Sequence, residues 1–181
     1  MRFTETALAG AYTVALEPHT DDRGYLARAF CRREFAEHGL VADIAQANFN
    51  HSHRRGTVRG LHYQVPPDAE AKLVRCVRGA IFDVIVDLRP ESPTYREWLG
   101  VELSADNALA LYVPELFAHG FQTLSDDTLA FYQASAFYSP GSERGLRHDD
   151  PVLGIDWPLK TTAISHKDAT WPLLDPEGAQ P

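Results

Sequence analysis

The chain is poor in sulfur, with two cysteines (Cys31 and Cys76) and one methionine in 181 residues. Two thiols make no disulfide framework, so the simplest expectation is a reducing, cytoplasmic setting. No apolar run approaches the roughly 20 residues of a membrane-spanning helix, and no charged-then-apolar leader opens the sequence. Neither a membrane nor secretion is therefore expected. CxxC, HExxH, GxGxxG, P-loop and GxSxG patterns are all missing, which removes several zinc, dinucleotide, nucleotide and serine-nucleophile signatures. Positive charge is scarce in the second half: residues 101–181 hold 4 Lys+Arg against 12 Asp+Glu, whereas residues 1–100 hold 13 of each. A net charge of −8 makes nucleic acid a poor partner.

What is present is enough for one domain spanning 1–181, with a real core. Gly and Pro punctuate short apolar runs, the pattern of an all-β chain. Strands are expected at Leu73–Val77, Ala80–Leu88, Val101–Leu103, Leu109–Val113 and Leu129–Tyr138. One short helix is expected near Arg32–His38, with Gly39 as the residue that ends it. Residues 141–181, rich in Pro, Asp and Trp, read as a C-terminal segment wrapping the domain. Many short strands with little helix imply a sandwich, barrel or jelly roll. Arginines cluster locally at Arg23, Arg28, Arg32, Arg33, Arg54, Arg55 and Arg59. A small anion is thus an admissible ligand, although several of these are ordinary surface charges.

Strand alternation assigns faces. In Ala80–Leu88, Ile81, Asp83, Ile85 and Asp87 share one face, so Asp83 stands among apolar residues as a candidate partner for an interior histidine or cation. In Leu129–Tyr138, Ala130, Tyr132, Ala134, Ala136 and Tyr138 share a face. Alanines between two phenols leave space that a packed core would fill, which suits a cavity wall.

The densest chemistry is Arg59-Gly60-Leu61-His62-Tyr63-Gln64, followed by Lys72 and by His119 within Pro114–Phe121. Small β-barrels that bind metals often use two histidines two residues apart, then a carboxylate and a later histidine. Here Gln64 and Lys72 stand at the second and third places. An amide and a protonated amine are poor ligands, so no metal is expected. His, Lys, Arg and Tyr suit proton abstraction beside a carbonyl instead. His62 is the candidate base, Lys72 or Arg59 a stabiliser of the enolate oxygen, and Tyr132 an acid on the other face. Removal of a proton from one face and return to the other is epimerisation, which needs no redox cofactor. Arg59 and His62 have opposite parity, so both can face one ligand only across a bend or bulge.

Several motifs run in order along nearly the whole chain: Asp22-Arg23-Gly24, Arg59–Gln64, Val86-Asp87-Leu88-Arg89, Ser92-Pro93-Thr94, Phe117–Phe121, Asp150-Pro151, Gly154–Pro158 and Ser165-His166-Lys167-Asp168. Together they resemble the dTDP-4-dehydrorhamnose 3,5-epimerase family. The resemblance implies a cupin-like jelly-roll β-barrel with a few short helices. It also implies a homodimer, no cofactor, and a nucleotide-linked 4-keto-6-deoxyhexose as substrate. It assigns His62 as base, Asp168 as its carboxylate, Tyr132 as proton donor and Tyr138 as the ring stacked on the nucleobase. Arg59, Lys72 and His119 would line the sugar and phosphate site, with Arg23, Gln46, Asn48, Glu143 and Lys167 as further contacts. Asp83 stays as a second candidate partner for His62. Arg28 stands where relatives commonly carry a glutamate against the substrate. Still open are inversion at C3, C5 or both, the nucleobase, and the alternatives of a metal-dependent or a purely sugar-binding cupin.

Overall fold

A computed structural model describes residues 1–175 of the protein. Its strands are β1 (Arg2–Glu5), β2 (Tyr12–Ala15), β3 (His19–Asp21), β4 (Gly24–Leu26), β5 (Gln46–Ser52), β6 (Val58–Gln64) and β7 (Lys72–Arg78), then β8 (Ala80–Asp87), β9 (Trp98–Ser104), β10 (Ala110–Val113), β11 (Phe117–Thr123), β12 (Thr128–Ala134) and β13 (Glu143–Gly145). Two short helices, α1 (Arg32–Glu37) and α2 (His166–Ala169), complete the elements. The pairing is antiparallel within one sheet ordered β1-β2-β10-β7-β12-β5 and a second ordered β13-β6-β11-β8-β9. The β3–β4 hairpin stands apart from both sheets.

The two sheets pack face to face because alternation gives each an apolar inner face. Val74, Cys76, Leu111, Val113 and Ala130 from the first sheet meet Ile81, Ile85, Leu103, Phe117 and Phe121 from the second. Burial holds the Cys76 thiol at a pKa of about 11, so it behaves as an inert core group; Cys31 and Cys76 are unbonded to each other. β8 is buried on both faces, which explains its nearly continuous apolar run. Its Ile81 and Ile85 join the inter-sheet core, while Val84 and Val86 join a second cluster with Leu146, Leu153 and Leu174. Residues 146–174 thus cover the outer face of the second sheet. The remainder of the expected wrapping segment, residues 176–181, lies outside the described residues.

Helix α1 covers part of the outer face of the first sheet, where Phe35 packs with Val14, Leu73, Ala110 and Tyr112. It ends where the sequence predicts: Gly39 takes φ +68°, and the N–H groups of Gly39 and Leu40 donate to the Ala36 and Phe35 carbonyls. The outer face of β5 and β12 has no such cover among the described residues. Phe49 is 68% exposed there and lies 5.1 Å from the Phe131 ring. Among the described residues no helix is long and apolar enough to cross a membrane.

Candidate active site

Where the inter-sheet core turns polar, the inner faces of β5, β6, β7, β11 and β12 enclose a cavity of about 270 Å³ lined by Asn50, Arg59, His62, Lys72, His119 and Tyr132, among others. An adjoining cavity of about 350 Å³ shares His62, Lys72 and Tyr132 and adds Gln46, Asn48, Glu70, Tyr138 and Glu143. The wall opposite His62 is built by register. Tyr132 stands across from Asn48, Ala134 from Gln46 and Ala130 from Asn50, all on the inner face. The alanines keep the space between these polar groups open, as strand parity predicts for Ala130, Tyr132 and Ala134.

A bulge resolves the parity conflict in β6. Opposite β11, His62 pairs with His119 and Arg59 with Phe121, so one extra residue is accommodated in β6 between them. Gly60 makes this possible, with φ +105° and no side chain; a Cβ there would stand 2.6 Å from the His119 carbonyl oxygen. The extra residue turns Arg59 to the same side as His62. Its guanidinium is held by Ser52 Oγ at 2.9 Å and by the His51 carbonyl at 2.8 Å.

His62 Nε2 lies 2.7 Å from Asp168 Oδ1. Asp168 itself is only 5% exposed. Its other oxygen accepts from the Gly60 N–H at 3.2 Å, and its own N–H donates to Ser165 Oγ, the N-cap of α2. Burial pushes this carboxyl up, yet the hydrogen bonds from His62, Gly60 and Ser165 hold it below the usual aspartate value. Asp168 is therefore ionised at neutral pH. With Nε2 donating to it, the lone pair of a neutral His62 sits on Nδ1. Trp171 backs the ring at a centroid distance of 6.4 Å, and itself lies over Gly145, where a Cβ would come within 2.2 Å of the indole.

The other carboxylate expectation resolves differently. Asp83 is fully buried and faces His119, with Nε2–Oδ1 2.8 Å, rather than His62. It is a partner for an interior histidine, but for the second one. Register explains this: Asp83 pairs with Phe121 across β8–β11, which leaves it beside the side chain two residues earlier on that face. Its Oδ2 has no partner among the described residues.

Lys72 is nearly buried, 3.0 Å from Glu70 Oε1 and 3.4 Å from the His62 carbonyl. The Tyr132 hydroxyl accepts and donates no hydrogen bond among the described residues. Burial, and then the Glu70 charge, raise its pKa above the ordinary phenol value. At the outer rim, Glu143 Oε2 accepts from Lys167 Nζ at 2.6 Å and from the Tyr138 hydroxyl at 2.8 Å. Burial works against the Glu143 carboxylate, but those two donors keep its pKa low.

Tyr138 reaches this rim by a route that differs from the expected strand. β12 ends at Ala134, so Tyr138 is not on the Tyr132 face of a continuous strand. Its loop is held by Gln64, whose amide donates to the carbonyls of Asp68 and Phe137 and accepts from the Ser139 N–H. The Tyr138 N–H adds a bond to Gln46 Oε1 at 2.6 Å. Gln64, at the place where a metal-binding barrel would carry its second histidine, is thus spent on loop anchoring.

Arg23 and Arg28 are not brought to this cavity within one chain. Arg23 lies at the β3–β4 turn, 89% exposed and paired with Asp21; Arg28 pairs with Glu34 at 3.0 Å. Residues that sequence reasoning passed over include Asn50, Ser52, Glu70 and Trp171. Glu70 shares the parity of Lys72 and Trp171 follows Asp168 by three residues, so both lay within reach of spacing arguments. Ser52 and Asn50 required the β5 pairing, which no local pattern announces.

Comparison with known proteins fits this arrangement. The sequence matches the dTDP-4-dehydrorhamnose 3,5-epimerase family over residues 5–176. It is 45% identical over 175 residues to the dTDP-4-dehydrorhamnose 3,5-epimerase of Sinorhizobium fredii, covering 96% of this chain and 90% of the relative. The structure superposes on the Bacillus anthracis dTDP-4-dehydrorhamnose 3,5-epimerase with TDP and PPi bound at a TM-score of 0.92 and 39% identity, covering 96% of this chain and 99% of that one. A Legionella pneumophila dTDP-6-deoxy-D-glucose-3,5-epimerase in complex with dTDP-4-keto-L-rhamnose gives a TM-score of 0.89 at 36% identity, covering 95% and 92%. The cupin-like jelly roll and the match along nearly the whole chain show that the protein belongs to the dTDP-4-dehydrorhamnose 3,5-epimerase family of isomerases.

Proposed function

We propose that the His62 cavity inverts C3, C5 or both of a dTDP-linked 4-keto-6-deoxyhexose by a two-sided proton transfer. One observation carries this reading: His62, backed by ionised Asp168, and Tyr132, a protonated phenol, line the same cavity from different sheets. His62 Nδ1 takes the proton alpha to the C4 ketone. The C–H electron pair forms the C=C bond of an enolate, and the carbonyl π pair moves to the oxygen. The Lys72 ammonium stabilises that oxygen, a contribution of about 3 kcal/mol for one well-placed donor. Tyr132 then delivers its proton to the same carbon from the opposite face, and solvent resets both side chains. Arg59, fixed by Ser52 and His51, offers positive charge to the diphosphate. Tyr138 offers a ring for the base, with Gln46, Asn48, Glu143 and Lys167 at the rim. His119, oriented by Asp83, adds a further polar contact toward the sugar.

Among the described residues, a single chain leaves Arg23 and Arg28 outside the cavity and the Phe49–Phe131 face uncovered. Both features support a homodimer in which the β3–β4 hairpin of one copy, with exposed Tyr25 and Leu26, meets the other. A Phe49→Asp variant running as a monomer in sedimentation velocity would agree; an unchanged dimer would place the interface elsewhere.

The test of the reaction is an NMR time course in D2O with dTDP-4-keto-6-deoxyglucose. Deuterium is expected at C3, C5 or both, and the stereochemistry of the product identifies which of the exchanged carbons is inverted. The His62→Ala variant is expected to take up none. Absence of exchange with the parent protein on this substrate and on its CDP analogue would overturn the proposal.

A further inference from the structure

A cluster outside the cavity has the chemistry of a metal site. His51 and His53 project from the outer face and end of β5, and Asp127 sits in the turn that opens β12. Within one chain, side-chain exposures of 36%, 83% and 71% leave all three accessible to an ion. The backbone fixes their spacing. His51 pairs with Leu129 across the β5–β12 ladder, and the Asp127 N–H donates to the His53 carbonyl at 3.2 Å. Asp127 adopts φ +48°, a conformation aspartate tolerates better than most residues.

The distances are informative. His51 Nε2 lies 3.5 Å and His53 Nδ1 3.7 Å from the same oxygen, Asp127 Oδ1. Both are long for a hydrogen bond. They are close to the about 3.3 Å that separates two ligands of a tetrahedral ion bound at about 2.0–2.1 Å. All three ligand atoms fall within 4.8 Å of one another, and the two imidazole rings stand nearly perpendicular at 82°. Two imidazoles and one carboxylate suit a borderline divalent ion such as zinc, whereas calcium and magnesium prefer oxygen ligands. The neighbouring groups are otherwise engaged: Asp126 accepts from the Arg55 N–H, and Arg78 Nε donates to the Asp127 carbonyl, away from the carboxylate.

We propose that His51, His53 and Asp127 form a three-ligand site for a zinc-class divalent ion, with the remaining coordination position open to water. The site is separate from the proton-transfer cavity. It lies on the opposite face of β5 from Ser52, whose hydroxyl holds Arg59. Neither imidazole nor the Asp127 carboxylate lines the His62 cavity, so an ion there takes no part in the proton transfers.

The test uses the full chain, free of any affinity tag and stripped with chelator. Zinc is titrated in competition with a chromophoric chelator, and Co2+ is followed by its visible absorption. One equivalent of zinc per chain with micromolar affinity is expected, together with the bands of low-coordinate Co2+. His53→Ala and Asp127→Ala should each weaken zinc at least ~10-fold, since each removes one of only three ligands. His62→Ala should bind zinc as the parent does. His53→Ala should retain its metal-free turnover, which shows that the variant is folded. No zinc bound at tens of micromolar would overturn the site. So would affinity unchanged in both His53→Ala and Asp127→Ala, or affinity lost in His62→Ala, which would move the ion to the cavity.

Discussion

Replacing Tyr132 with phenylalanine removes one hydroxyl and leaves the ring in place. The ring packs against the inter-sheet core beside Ala130 and Val74, and the hydroxyl has no hydrogen-bond partner among the described residues. Deleting it should therefore alter stability by only about 0.5 kcal/mol, the range of changes that touch no structural contact. The chemical effect should be far larger. A positioned general acid contributes about 10²–10⁴-fold, or about 3–5 kcal/mol of barrier at 1.36 kcal/mol per tenfold. The two half-reactions should separate. His62 and Asp168 are untouched, so proton abstraction and return on the same face continue. In D2O the substrate should gain deuterium at the acidic carbon within about tenfold of the parent rate, while product forms at least about 100-fold more slowly. One-dimensional proton NMR reads both, as loss of the substrate signal by exchange and growth of the inverted sugar. Inversion within tenfold of the parent would refute Tyr132 as the acid. Exchange lost together with inversion would make Tyr132 a positioning group, because the base would then depend on it.

Other perturbations bear on its neighbours. Asp168→Asn should lower turnover by about 10²-fold or more, since the imidazolium loses its charged partner. The Asp168 carboxyl is held below its unfolded value, so its stabilising contribution is complete above about pH 4 and fades as pH falls through the lower folded value. Urea midpoints of parent and Asp168→Asn should accordingly differ most near neutral pH and converge in acid; a constant gap would contradict the coupling. Burial and the Glu70 charge raise the Tyr132 pKa. Glu70→Gln should thus move the alkaline limb of the kcat profile to lower pH, and an upward move would show that Glu70 acts otherwise. Gly145→Ala would drive a methyl into the Trp171 indole. Overpacking of this kind costs about 1–3 kcal/mol, and because Gly145 pairs with His62 in the β13–β6 ladder, kcat should fall along with the thermal midpoint.

Much of the architecture was legible because side-chain direction in a strand repeats every two residues. That period placed Ile81, Asp83 and Ile85 inside and opened the Ala130–Tyr132–Ala134 face. Helix chemistry likewise put the end of α1 at Gly39. The motif set carried the family, and with it Asp168, more than a hundred residues from His62. Periodicity, however, tells a side chain which face it takes and not what stands opposite. Strand pairing gave Asp83 to His119, and a loop anchored by Gln64, not a continued strand, delivered Tyr138 to the rim. The bulge at Gly60 shifted the count in β6 by one and turned Arg59 inward beside His62.

The amino-acid sequence by itself pointed to the fold class, to His62 and Tyr132 as the candidate base and acid, and to the apolar faces, because these follow from residue type and local spacing. Only the tertiary structure decided that Asp83 serves His119 and that Arg23 and Arg28 lie outside the chain's own cavity. The place of the two arginines follows from where the β3–β4 hairpin lies, and the Asp83–His119 pair from the β8–β11 register. Burial and hydrogen-bond geometry select that register, and no short-range pattern encodes it.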